Sequence, residues 1–226
     1  MKRIVSIQDI SALGKCSLTV ALPIISAMGV ECAVVPTAVL STHTQFSGFT
    51  FCDLTDEMEP IADHWKQQDF HFDAIYTGYL GSFRQVDIVK RYFRDFGDGA
   101  KIIVDPAMAD NGELYPTFDE EFPVHMRKLC SRADILKPNL TEACLLVGID
   151  YKEGPYTKDW IIWLLRELSA LGPNKIVLTG VYFDDTELGA AIYDKTTDEA
   201  EFILRGAIPG IYYGTGDISV RSSWVP

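Results

Sequence analysis

The sequence has no C-x-x-C pair, no cluster of basic residues longer than Lys90-Arg91, and no apolar stretch long enough to span a bilayer. Each absence removes a class of protein. The five cysteines, Cys16, Cys32, Cys52, Cys130 and Cys144, are odd in number and scattered, with no histidine at metal-ligand spacing. They read as reduced thiols of a cytoplasmic protein rather than a disulfide framework or a zinc site. With 20 Lys and Arg against 32 Asp and Glu, the net charge is -12, which repels nucleic acid and anionic membranes. An anionic nucleotide then needs Mg2+ or backbone amides to hold it. The apolar stretch from Leu18 to Val30 contains Pro23 and Ser26; it is too short for a membrane span and too late for a leader, so a buried helix is expected. No G-x-G-x-x-G follows the first strand-like run, since Gln8-Asp9-Ile10-Ser11-Ala12-Leu13-Gly14 lacks the early glycines. That argues against a dinucleotide-binding dehydrogenase. No repeat, linker or low-complexity segment divides the chain, and one domain over residues 1–226 is expected.

Apolar material is ample, at 47% of residues with a mean hydropathy of +0.06, enough for a packed core. Arg3 to Asp9 reads as a strand, Gly14 to Met28 as a helix closed by Gly29, and Glu31 to Thr37 as a second strand. A strand, a helix and a strand in that span form a βαβ unit. Leu40 to Cys52 breaks the rhythm and reads as a hairpin or flap. Helices are expected over Asp53–Gln68, Phe83–Phe96, Phe118–Cys130, Leu140–Val147 and Thr157–Leu171, with Asn139 or Thr141 as a cap for the fourth. Strands are expected over Asp73–Leu80, Lys101–Val104, Asp134–Lys137 and Lys175–Thr179, a loop over Met108–Pro116, and a hairpin from Leu188–Tyr193 and Glu201–Arg205. The alternation predicts an α/β fold, a doubly wound, mostly parallel central sheet flanked by helices.

In such a sheet ligands bind beyond the carboxyl ends of the strands. The polar residues there are Asp9, Thr44 in the flap, Gly78-Tyr79, Asp105 and Asp110, Asn139 and Glu142, Thr179-Gly180, and Asp217. Plainer roles exist for several. Asp105 before a proline suits a strand-ending turn, Asn139 suits a helix cap, Thr179 a polar strand terminus, and His43 a lone loop imidazole. Carboxylates gathered at one end of a sheet repel one another unless a cation is present, which points to Mg2+. Near the C-terminus, Gly214-Thr215-Gly216-Asp217 combines glycines that let backbone N–H groups approach a phosphate with a carboxylate able to accept a hydroxyl proton.

Six motifs occur in one order: Ser6-Ile7-Gln8-Asp9, Ser41-Thr42-His43-Thr44, Thr77-Gly78-Tyr79, Asp105-Pro106 with Asp110, Lys137-Pro138-Asn139 with Glu142, and Gly214-Thr215-Gly216-Asp217. In these the chain resembles the pyridoxal kinases of the ribokinase-like superfamily. The resemblance implies ATP-dependent phosphorylation of the 5'-hydroxymethyl group of pyridoxal, pyridoxine or pyridoxamine. It implies that Asp217 deprotonates that hydroxyl while the amides of Gly214, Thr215 and Gly216 hold the phosphoryl group. Asp9, Thr44 and Tyr79 would bind the vitamer, and Asp110, Tyr115, Asn139, Thr179 and Gly180 the nucleotide. Asp105 and Glu142 would help to hold Mg2+ near the phosphates, with a monovalent cation such as K+ as an addition, and a homodimer is implied. Asp9 stands where the family usually carries Ser, a departure that resembles hydroxymethylpyrimidine kinases and less typical bacterial pyridoxal kinases. Family members continue past the terminal motif with long apolar helices, whereas Ile218 to Pro226 is short and Ser-rich. The expectation is therefore a C-terminally incomplete domain lacking those helices after a premature stop, with a vitamer-binding protein of impaired catalysis as the alternative.

Overall fold

The computed structural model describes residues 1–44 and 46–208. Gln45 and residues 209–226, which hold the Gly214 to Asp217 motif and the segment after it, lie outside the described residues. The described chain gathers into two compact units, Met1–Ile102 and residues 103–208.

The first unit contains β1 (Arg3–Ser11), α1 (Leu18–Ala27), β2 (Glu31–Leu40), β3 (Phe51–Asp53), α2 (Thr55–Gln67), β4 (Ala74–Thr77) and α3 (Phe83–Phe96), and β5 (Lys101–Val104) starts at its end. Its strand order is β5-β4-β1-β2-β3. β1 runs parallel to both neighbours, with Val5 opposite Ala33 on one side and Ile75 on the other. Ile4 to Asp9 and all of β4 are buried without alternation, as strands covered by helices on both faces must be. β3 returns antiparallel along β2, placing Phe51 opposite Leu40, so the hairpin expected after residue 40 is present. α1 starts later than its apolar pattern suggested. Gly14, Lys15 and Ser17 have φ of 114°, 51° and 55°, which no right-handed helix accommodates. α3 is capped by Ser82, whose hydroxyl accepts from the Gln85 N–H at 3.3 Å. It buries Val86, Val89, Tyr92 and Phe96, and the Tyr92 hydroxyl donates to the Met58 carbonyl at 2.7 Å.

The second unit continues from β5 through β6 (Ala109–Asp110), β7 (Glu113–Leu114), α4 (Phe122–Cys130), β8 (Ile135–Leu136), α5 (Leu140–Val147), α6 (Lys158–Ala170), β9 (Lys175–Val181), β10 (Glu187–Asp194) and β11 (Glu199–Gly206). Here the order is β5-β8-β9-β10-β11, with β5, β8 and β9 parallel and β10 and β11 an antiparallel hairpin along β9. The segment expected as a plain loop after β5 contains the small β6–β7 hairpin. Its turn residues Asn111 and Gly112 have φ of 50° and 84°, the two positive values that a tight hairpin turn requires. α4 begins at Phe122 rather than Phe118 because the Asp119 carboxylate accepts from the N–H groups of Glu121 and Phe122, both at 3.1 Å, and Pro123 occupies the first turn. α6 buries Ile161, Leu164, Leu165 and Leu168, as its spacing predicts. Trp160 instead stays half-buried, stacked on Tyr156 with ring centroids 5.1 Å apart. No described helix is long and apolar enough to cross a membrane.

Candidate active site

Among the described residues, several of the expected site residues follow the carboxyl ends of strands, in both units. In the first unit, Asp9 occupies an irregularity of β1. The register with β2 shifts between Gln8 and Ile10, and a bulge of this kind re-aims a strand-end side chain. Asp9 is only 5% exposed, and its Oδ2 accepts from the Ser11 hydroxyl at 3.2 Å. Burial pushes its carboxyl above the usual range, against the Ser17 and Ser11 hydroxyls that lower it. Tyr79, also buried, follows β4, and its carbonyl accepts from the Thr37 hydroxyl at 3.0 Å. The preceding Gly78 lies so close to Gln8 that a Cβ there would stand 2.9 Å from Gln8 Oε1. A side chain at position 78 would therefore push Gln8 out of its bond to the Ser6 hydroxyl at 2.7 Å.

Thr44 lies half-buried in the segment joining β2 to β3. Its neighbour His43 packs on Phe46, ring centroids 4.7 Å apart, and against Gly14, where a Cβ would come within 2.3 Å of His43 Cδ2. His43 is thus more than an isolated loop imidazole. Its ring ties the flap to the segment after β1. The flap's Thr42 Oγ1 is buried without a hydrogen-bond partner among the described residues, and so is Thr77 Oγ1 at the end of β4.

In the second unit a polar cluster closes around the start of α5. Asn139 caps the helix. Its Oδ1 accepts from the Glu142 N–H at 2.9 Å, and Glu142 Oε2 accepts in return from the Asn139 N–H at 2.8 Å, a reciprocal capping box. The other Glu142 oxygen accepts from the Met108 N–H at 3.0 Å, and Asn139 Nδ2 donates to the Ala109 carbonyl at 2.7 Å. These bonds tie the β6–β7 hairpin to α5, as does the Gly112 N–H donating to the Thr141 hydroxyl at 3.0 Å. Thr179 stands beside Asn139 across an isolated bridge, and its N–H donates to the Pro138 carbonyl at 2.9 Å. Gly180, with φ of 79°, takes a conformation open to few other residues. Asp110 is exposed and Tyr115 half-buried at the hairpin.

Asp105, at the end of β5, is buried with its Oδ2 2.5 Å from Lys137 Nζ, while Oδ1 accepts from the Ala107 N–H at 3.3 Å. Burial and the adjacent Asp105 push the Glu142 carboxyl up to about 8, opposed by the two N–H groups it accepts from and by Lys137. Burial, reinforced by Glu142 and Asp105, also raises the Cys130 thiol well above its ordinary range. Among the described residues no group of three or more His, Cys, Asp and Glu could hold a metal ion. A positive charge already stands beside Asp105, that of Lys137. Each carboxyl oxygen of Asp105 and Glu142 has a donor or cation beside it, a set that does not fit a resident metal. Lys137 was visible in the sequence as a lone cation in the apolar run Ile135-Leu136-Lys137-Pro138; the partner across the strands was not. The expected catalytic residues Gly214, Thr215, Gly216 and Asp217 lie outside the described residues.

Comparison with known proteins places this arrangement in a group. The sequence profile of the phosphomethylpyrimidine kinase family matches residues 22–217. A Bacteroides thetaiotaomicron protein described as a phosphomethylpyrimidine kinase, crystallised with pyridoxal, is 42% identical. It superposes with a TM-score of 0.90 over 96% of this chain and 76% of its own. Pyridoxal kinase from Lactobacillus plantarum is 33% identical, with a TM-score of 0.85 over 96% of this chain and 77% of its own. Bovine pyridoxal kinase is 29% identical across 78% of this chain, and the match spans 58% of the bovine protein's length.

Proposed function

The chain belongs to the phosphomethylpyrimidine kinase family, and from that premise we propose that it transfers the γ-phosphoryl group of ATP to the 5'-hydroxymethyl group of a B6 vitamer: pyridoxal, pyridoxine or pyridoxamine. The observation that carries this reading is the 42% identity, over nearly the whole chain, to a protein crystallised with pyridoxal. In the reaction the vitamer oxygen bonds to the γ-phosphorus, the bond to the β–γ bridging oxygen breaks, and ADP leaves. The hydroxyl proton goes to Asp217, and the amides of Gly214 to Asp217 hold the charge developing on the phosphoryl oxygens. Asp9, Thr44 and Tyr79 hold the vitamer. Asp110, Tyr115, Asn139, Thr179 and Gly180 serve the nucleotide, the capping box keeping the β6–β7 hairpin beside α5 as part of that role. A homodimer in the cytoplasm belongs to the same proposal.

Steady-state ADP release with pyridoxal tests it. Asp217→Asn should lower kcat by roughly a hundredfold or more, since general-base help is worth that much; equal rates for variant and wild type would remove Asp217 from the role. The family's description and the carboxylate at Asp9 favour a second substrate, a hydroxymethylpyrimidine. The ratio of kcat/KM on the two alcohols decides between them.

A further inference from the structure

The described residues place Lys137 where the sequence led one to expect a metal. β5 and β8 are parallel, with Val104 beside Leu136, and the Lys137 N–H donates to the Val104 carbonyl at 2.8 Å. The next residue on each strand is then Lys137 on one and Asp105 on the other, and the backbone register itself presents the ammonium to the carboxylate. Both are shielded from water: Lys137 is 4% exposed, Asp105 8% and Glu142 2%. A buried lysine remains charged only beside an anion, and a buried carboxylate remains charged only beside a cation or several N–H donors. Asp105 meets that condition through the Lys137 ammonium at 2.5 Å, while both Glu142 oxygens are taken by backbone N–H donors. An additional cation at Asp105 would be repelled by the ammonium and would have to displace it.

We propose that Lys137 is a covalently fixed counter-cation that stands in for a bound monovalent or divalent ion at Asp105, so the protein has no resident cation site at this strand end. Lys137 is in this sense a positioning residue. It neutralises and orients Asp105 without itself reacting. Mg2+ that arrives with ATP is part of the nucleotide substrate and not a resident ion of this kind. Stability reports on this pair whether or not the chain is a kinase, and only the activity comparison rests on the kinase reading.

The experiment uses the full chain and the variants Lys137→Met, Lys137→Arg and Asp105→Asn/Lys137→Met. Thermal midpoints are compared in KCl, NaCl and tetramethylammonium chloride at matched ionic strength. Wild type and Lys137→Arg should be indifferent to the cation. Lys137→Met should unfold at lower temperature and recover part of the loss in K+ or Na+ but not in tetramethylammonium, which is too large to sit beside a carboxylate in a buried site. The double variant should be more stable than Lys137→Met and insensitive to the cation, because residues in contact couple non-additively. A purely packing role for Lys137 would not produce a cation-specific rescue. If Lys137→Met does not fold, a folded double variant supports the proposal and an unfolded one overturns it. In the kinase assay K+ should raise the kcat/KM of Lys137→Met by about tenfold or more, the scale typical of losing an outer-shell partner, while leaving wild type unchanged. A wild-type midpoint that follows cation identity, or a Lys137→Met midpoint no more responsive than wild type, refutes the proposal; loss of turnover in every protein with the midpoints as expected would instead count against the kinase reading alone.

Discussion

Asp9 shows how a single residue can be costly to the fold. It is buried at a break in the β1 register, and the desolvation that raises its carboxyl above 3.8 outweighs the serine hydroxyls opposing it. The linkage has a definite sign. A carboxyl that holds its proton more tightly in the folded chain than in the unfolded one stabilises the fold at low pH. That contribution is lost as pH rises from 3.8 through the raised value, because the folded chain must then bury a charge. Asp9→Asn removes the charge and keeps an oxygen that can accept from the Ser11 hydroxyl. The midpoint of Asp9→Asn minus that of wild type should therefore become more positive from about pH 4 to pH 7, these limits following from the ordinary carboxylate range. A difference that is flat in pH would show that Asp9 is not desolvated. A desolvated carboxyl at a strand end is a candidate binding group, and the proposed role toward the vitamer uses it as one.

At the scale of the element, α5 depends on its first turn. Asn139 accepts from the Glu142 N–H, donates to the Ala109 carbonyl and sits beside Thr179, so one side chain fastens a helix end and a hairpin. Asn139→Ala should cost about 1–3 kcal/mol in urea unfolding, combining the loss of a cap with a carbonyl left without its donor. Asn139→Asp restores the cap acceptor but not the amide donor, and it adds a third carboxylate next to Glu142 and Asp105. It should be no better than Ala, whereas at an ordinary N-cap Asp is equivalent to Asn; full recovery by Asp would mean that the tie to the hairpin contributes nothing. α5 and α3 were legible in the sequence to the residue, because a cap residue precedes a clean apolar period in each. The starts of α1 and α4 were not. The first is set by positive φ at Gly14, Lys15 and Ser17, the second by Asp119 bonding two N–H groups, and neither alters the hydrophobic pattern. The two-residue strands of the β6–β7 hairpin have no period to detect.

Across the whole molecule, what the sequence disclosed was the order of strand-end polar residues, since chain order alone places them at the carboxyl ends of parallel strands. What it could not disclose was pairing. Lys137 and Asp105 are far apart in sequence and meet only through the β5–β8 register, so the sequence shows the carboxylates gathering and not the cation beside them. The charge of the whole chain has a consequence of its own. At -12 the protein repels a nucleotide polyanion at long range, and Lys137, committed to Asp105, adds little local attraction. Salt shortens the Debye length from about 30 Å at 0.01 M to about 8 Å at 0.15 M, which weakens that repulsion. For a kinase of this charge, kcat/KM for ATP should rise about twofold or more over that range, the opposite of the fall seen when a positive field steers a ligand of opposite charge. kcat/KM for pyridoxine, which has no phosphate, should change little. Initial rates at fixed free Mg2+ across the range measure both. A steady fall for ATP would locate a net positive field at the nucleotide entrance, strong enough to override the charge of the rest of the chain.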